Sequence, residues 1–176
     1  MNASLTWSHS TGLNTMSGSV FQHTLLSYSE DFGVDPNDLI NAEGDLQHDK
    51  RWVVKFSGGY NLPWDVFIGT YFTYQTGRPR PVVVRVSDLE QGRREILAKP
   101  RGEDRYPSFY TLSLRAQKTF RLSGSWKLKV MLDVFNMTND ATFRFWRDNE
   151  MWRDTFYEES GLPNPISVQL GFKLEF

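Results

Sequence analysis

The sequence has no cysteine, so disulfides, thiolate nucleophiles and thiolate metal centres are excluded. It also lacks any run near the roughly 18 apolar residues that a membrane helix needs, which excludes helical spans. No Gly-Lys pair occurs, and with it goes the phosphate loop of Walker-type nucleotide sites. The only histidines, His9, His23 and His48, are spaced to fit no metal-ligand pattern. No nucleophile stands beside a base, so the sequence predicts no enzyme, no catalytic or metal-binding residue and no cofactor. Formal net charge is −1 over 176 residues, which offers no basic surplus for nucleic acid. After Met1, the stretch Asn2-Ala-Ser-Leu-Thr-Trp7 has neither the basic nor the apolar part of a secretory signal. An exported protein with this sequence is therefore expected to come from a longer precursor.

What remains is rich in rings and in alternation. Aromatic residues make up 15% of the chain, yet mean hydropathy is only −0.49. Strands with one apolar and one polar face produce that combination, because half of each strand is hydrophilic. Period-two alternation marks six segments. The clearest runs from Ile166 to Phe176, where Ile166, Val168, Leu170, Phe172, Leu174 and Phe176 alternate with Ser167, Gln169, Gly171, Lys173 and Glu175. Its length is about that of a strand crossing a bilayer at a tilt of about 45°. Leu128 to Val134 alternates with Lys127, Lys129, Met131 and Asp133, and charge along one side excludes a strand buried on both faces. Tyr110, Leu112, Leu114 and Ala116 form an earlier strand, joined to it by a turn over 121–125. Trp52 to Tyr60 and Val66 to Tyr74 form another pair around Asn61-Leu-Pro-Trp-Asp65, and the first strand is expected over Asn2 to Ser10.

Connections between these strands alternate: long over 11–49, 77–108 and 137–165, short over 61–65 and 121–125. That asymmetry predicts an all-β, antiparallel up-and-down transmembrane β-barrel segment of about six strands, with the long loops extracellular and the tight turns periplasmic. Trp7, Trp52, Tyr60, Trp64, Tyr74, Phe120, Trp126 and Phe176 fall near strand ends, where amphipathic rings favour the headgroup level. Lys55, Arg115, Lys127, Lys129, Asp133, Lys173 and Glu175 are expected to face water inside. The first loop gathers Glu30, Asp31, Asp35, Asp38, Glu43, Asp45 and Asp49; a solvated acidic loop and a divalent-cation site are both readings of it. The middle loop carries Arg78, Arg80, Arg85, Arg93, Arg94, Lys99, Arg101 and Arg105 against five acids, which suits lipopolysaccharide phosphates, an anionic ligand or pairing with the acidic loop.

Two motifs carry a family resemblance. The terminal Ser167-Val-Gln-Leu-Gly-Phe-Lys-Leu-Glu-Phe176, with Phe172, Leu174 and Phe176 in alternation, resembles the C-terminal signal of outer-membrane barrels. The pair Lys118-Thr-Phe120 and Asp133-Val-Phe-Asn-Met-Thr-Asn139 looks like the late strands of TonB-dependent receptors, through Lys118, Phe120, Asp133, Phe135, Asn136 and Asn139; the resemblance implies a turn at the first motif and a strand end at the second. Tyr60-Asn-Leu-Pro-Trp64 and Tyr74-Gln-Thr-Gly-Arg-Pro79 resemble the carboxypeptidase-regulatory-domain, Oar-like branch of that group. The likeness implies that residues 1–176 are the C-terminal part of an outer-membrane β-barrel, located in the bacterial cell outer membrane. It further implies recognition by the barrel-assembly machinery, contact with outer-membrane lipid and lipopolysaccharide, and uptake of an unidentified ligand. TonB itself would be engaged only through a plug and TonB box that these residues do not contain. A passive barrel serving as surface adhesin or assembly component is the alternative, and both readings require neighbouring strands.

Overall fold

The computed structural model describes residues 1–13, 36–88, 90, 92 and 94–176. Glu30, Asp31, Asp35, His23 and Arg93 lie outside the described residues. The strands in chain order are β1 (Asn2–Trp7), β2 (Thr11–Leu13), β3 (Glu43–Asp45), β4 (Trp52–Leu62), β5 (Val66–Gln75), β6 (Val83–Val86), β7 (Arg94–Leu97), β8 (Phe109–Arg121), β9 (Lys127–Phe135), β10 (Phe145–Trp146), β11 (Glu159–Ser160) and β12 (Ser167–Glu175). A single 3₁₀ turn, Pro36–Leu39, is the helical element among the described residues. Six strands form one antiparallel sheet in the order β1-β4-β5-β8-β9-β12, each beside its predecessor in the meander. All six are the strands that the alternation predicts. Among the described residues the sheet does not close: β1 and β12 are its edges.

The register aligns the alternation of every strand. Leu170 opposes Leu132, which opposes Ala116, which opposes Ile68, which opposes Tyr60. A second row runs Leu5, Val54, Tyr74, Tyr110. One face of the sheet is therefore apolar from β1 to β12. The other carries Lys55, Arg115, Asp133, Lys129, Lys173 and Glu175, as the alternation predicts. A one-residue slip in any strand would exchange its two sides. On the polar face, Gly59 opposes Gly69, and a Cβ at Gly59 would lie 2.5 Å from the ring of Phe67, which occupies that space. The ring covers backbone that two glycines leave bare.

Both tight turns are braced. Leu62 still pairs with Val66, so the first turn is Pro63-Trp64-Asp65, with Trp64 at φ 66° and Asp65 at φ 60°. Its left-handed backbone is held from β8: Thr119 N–H donates to the Asp65 carbonyl at 2.9 Å and Arg121 donates to the Asp65 carboxylate at 2.9 Å. The second turn closes where Leu122 N–H meets the Trp126 carbonyl at 2.9 Å.

Two expectations need correction. The first strand ends at Trp7 instead of Ser10, because the acids of the β3 region draw the chain away: His9 Nε2 pairs with Asp45 at 2.9 Å, and Ser10 N–H donates to Asp49 at 2.9 Å. The long connections are not plain loops either. They form three two-stranded pieces, β2-β3, β6-β7 and β10-β11, joined by bridges such as Gly44 to Arg101 and Val83 to Glu150. Together they make a cap at one end of the sheet. Ala42, Val82, Val83, Leu97, Tyr106 and Phe156, the buried apolar residues among those described, all belong to this cap. The six-stranded sheet contributes none of them.

Candidate functional site

The apolar face is the largest feature without a partner. Strands spaced about 4.8 Å apart and about 30 Å long give a six-strand face on the order of 700 Å², above the roughly 300–600 Å² of the largest patch on an ordinary monomer. Its side chains stand in the open: Leu5 is 67% exposed, Leu170 58% and Phe172 64%. At the cap end the face is edged by Trp7 and Trp52, which oppose one another, with Tyr74 and Tyr110 in the next row. At the turn end stand Tyr60, Trp64, Phe120, Trp126 and Phe176. The rings of Trp126 and Phe176 lie 5.5 Å apart and tilted, an arrangement that aromatic quadrupoles favour.

The C-terminal residues Phe172, Leu174 and Phe176 line this face on the edge strand, where nothing in the sheet covers their outer side. Lys118-Thr-Phe120 lies inside β8 and not in a turn. Lys118 belongs to the apolar face, opposite Val66 and Val130, and its Nζ reaches back along the sheet to the carbonyl of Trp64. An ammonium on an apolar surface takes that path because its stem packs while its head finds an oxygen. Phe120 follows on the same face, with Lys118 Nζ 5.8 Å from its ring.

Asp133, Phe135, Asn136 and Asn139 work at the opposite end of β9. Asp133 is buried on the polar face and receives Arg115 through two hydrogen bonds of 2.5 and 2.8 Å, a bidentate pair between directly opposed residues. Phe135 lies on that same face. Asn136 and Asn139 leave the strand at φ 47° and 50°, a conformation that asparagine accepts more readily than most residues. The Asn136 side chain accepts from Asp140 N–H at 3.2 Å and donates to the Asn164 carbonyl at 2.8 Å. Asn139 accepts from Ile166 N–H at 3.0 Å. The motif therefore stops one strand and fastens the start of the next.

The acidic and basic connections meet in the cap. Arg105 donates to Asp45 at 2.6 Å and to Asp49 at 3.0 Å, while Arg51 donates to Asp45 at 3.0 Å. Burial alone would raise the Asp45 carboxyl; hydrogen bonds from His9 and Arg51 and the nearby charges of Arg51 and Arg105 outweigh it and hold the group below its ordinary value. These acids are occupied by arginines, and no group of three or more His, Cys, Asp or Glu converges on a metal position among the described residues. The middle connection also turns inward: Arg85 pairs with Glu95 and stacks 3.9 Å from the Trp152 ring centre, and Arg80 lies over Trp146 and Phe156. Nothing periodic in the sequence marks these stacks, since ring and guanidinium come from connections far apart in the chain.

Comparison with protein-family models, curated proteins and solved structures found no match for this chain.

Proposed function

We propose that this chain is wall and outward cap of an outer-membrane β-barrel of the TonB-dependent receptor type, in which the apolar face meets lipid and the polar face meets water or a plug. The observation that carries this reading is the apolar face, whose one charged side chain is Lys118 and which leaves large apolar residues exposed on all six strands, while every buried apolar residue described sits in the cap. In water such a face would be left without a partner; acyl chains supply one. Dimensions support it: the 11 residues of β4 at about 3.3 Å each, tilted about 45°, cover about 26 Å, the height of an outer-membrane apolar band. Rings at both ends of the face would then sit at headgroup level, with Lys118 drawn to the periplasmic side. Closure comes from further strands along β1 and β12, because exposed strand edges in lipid cost several kcal/mol per unpaired group. Uptake of a ligand, and coupling to TonB through a plug, follow from the resemblance of Asp133-Val-Phe-Asn-Met-Thr-Asn139 and its neighbours to the receptor family. The cap's own apolar core favours a second reading, a passive barrel that displays a rigid adhesive surface.

The sequence has no native cysteine, which makes single-cysteine labelling a clean test. In membranes, Leu170→Cys should resist a water-soluble maleimide and react with a lipid-soluble one, and Gln169→Cys should do the reverse. Equal labelling of the two positions, or recovery of the protein without membranes, would sink the membrane reading.

A further inference from the structure

Between the polar face of the sheet and the underside of the cap lies a cleft of about 580 Å³. Four cations line it from four different segments: Lys50 ahead of β4, Lys55 within β4, Arg78 after β5 and Arg144 before β10. No carboxylate is among its lining residues. Elsewhere in the cap, Arg51, Arg85, Arg105, Arg147 and Arg153 form ion pairs with acids, while Arg80 and Arg101 bury N–H groups that no described residue accepts. The four in the cleft form no ion pair with a described residue. Lys50 donates to the Gln75 side-chain oxygen at 2.7 Å, a neutral acceptor. Arg78 is held by rings, 5.4 Å from the centre of Tyr106 and 5.6 Å from that of Phe145, and Arg144 lies 4.8 Å over Phe109. Ring stacking occupies the flat face of a guanidinium and leaves its N–H edge available. Lys55 has no hydrogen-bond or ion-pair partner among the described residues.

Gathering four like charges is unfavourable unless something of opposite sign joins them. The chain as a whole carries a net charge of −1, so the concentration of positive charge belongs to this place and not to the protein at large. Its effect is visible on Lys50, whose ammonium is pushed below its ordinary range by burial first and then by Arg78, Arg144 and Lys55.

We infer that this cleft binds a soluble ligand carrying two or more carboxylate or phosphate groups, received by Lys50, Lys55, Arg78 and Arg144. The volume falls within the roughly 300–1,000 Å³ of small-molecule sites. Phe109 and Phe145 wall the cleft beside the guanidinium groups, which suits a ligand whose charges sit on a flat or apolar body. The cleft opens on the polar side of the sheet, so the ligand arrives from water and not from lipid. None of this requires the membrane assignment, since the four groups converge whatever covers the opposite face.

Isothermal titration of the full chain in detergent, with pyrophosphate and with citrate as separate probes, tests the inference. Saturable binding of at least one probe with one site per chain is expected, weakened about tenfold by Lys55→Gln and about tenfold by Arg144→Gln, as loss of a charge-assisted contact implies. Arg147→Gln, which removes a cation paired with Glu158 outside the cleft, should leave it unchanged. Lys55 and Arg144 are exposed, so folding should survive, and far-ultraviolet circular dichroism of each variant checks this; Lys55→Glu, which places an acid in the cleft, gives a second route to the same loss. Absence of saturable heat with both probes, or equal weakening by Arg147→Gln, overturns the inference. Either result is independent of the cysteine-labelling outcome.

Discussion

The Asn136 side chain donates to the carbonyl of Asn164 at 2.8 Å, joining the end of β9 to the approach of β12 across 28 positions of chain. The connection between these strands is long, yet its two ends are fastened beside the sheet by this bond and by Asn139 with Ile166. Two requirements meet at Asn136, a left-handed backbone and a side chain that bonds outward. Substitutions separate them. Asn136→Gly keeps the backbone and loses the bonds, about 1–2 kcal/mol; Asn136→Ala loses both, about 1–2 kcal/mol more. Urea unfolding in detergent micelles should place the midpoints in the order wild type, glycine, alanine.

Arg115 and Asp133 make a similar claim on the polar face. Asp133 is buried while Arg115 is about half exposed, so removing the arginine strands a carboxylate. Arg115→Met should lower the unfolding midpoint, and adding Asp133→Asn should recover part of the loss. Strict additivity of the two changes in unfolding experiments would show that the pair does not act as a unit.

Acid should loosen the cap before the sheet. Asp45 titrates below its ordinary value in the folded chain, so its contribution is present above the unfolded aspartate range and disappears as pH falls through the folded value. Proteolysis of the connections should accelerate as pH drops below about 4, the ordinary aspartate range, while the far-ultraviolet strand signal persists. Arg105→Gln should leave the cap more cleavable already at neutral pH and shrink the further loss in acid, because one of the charges that hold Asp45 ionised is gone.

Gly77 sits where the two ends of the middle connection touch. A Cβ there would fall 1.6 Å from the carbonyl oxygen of Tyr106, an overlap with backbone that no side-chain movement relieves. Gly77→Ala should cost about 3 kcal/mol or more, in the range reserved for severe local clashes. The loss should register as faster proteolysis of the cap.

Alternation alone located the strands of the sheet and sorted their residues to faces, because a period of two is set by backbone geometry and survives without any knowledge of neighbours. On β5, the exception, alternation alone does not settle the sides, because Phe67 and Tyr71 lie on the polar face; the neighbouring Lys55 and Arg115 define it. The cap was illegible for the converse reason. Its strands span two to four residues, too few for a period, and Val83, Leu97 and Phe156 become a core only when separate connections meet. Lys118 illustrates a third case: its position beside Phe120 suggested a turn, whereas its chemistry is exerted on Trp64, a turn belonging to other strands. The cleft cations were each counted in the sequence or passed over, but nothing in their spacing placed Lys50 near Arg144.

The separation between a sheet fastened by its ladders and a cap that holds the buried apolar residues divides the molecule into a frame and a replaceable crown. Changes at Val83, Leu97 or Phe156, buried inside the cap, repack the connections on one another without shifting the register of any of the six strands.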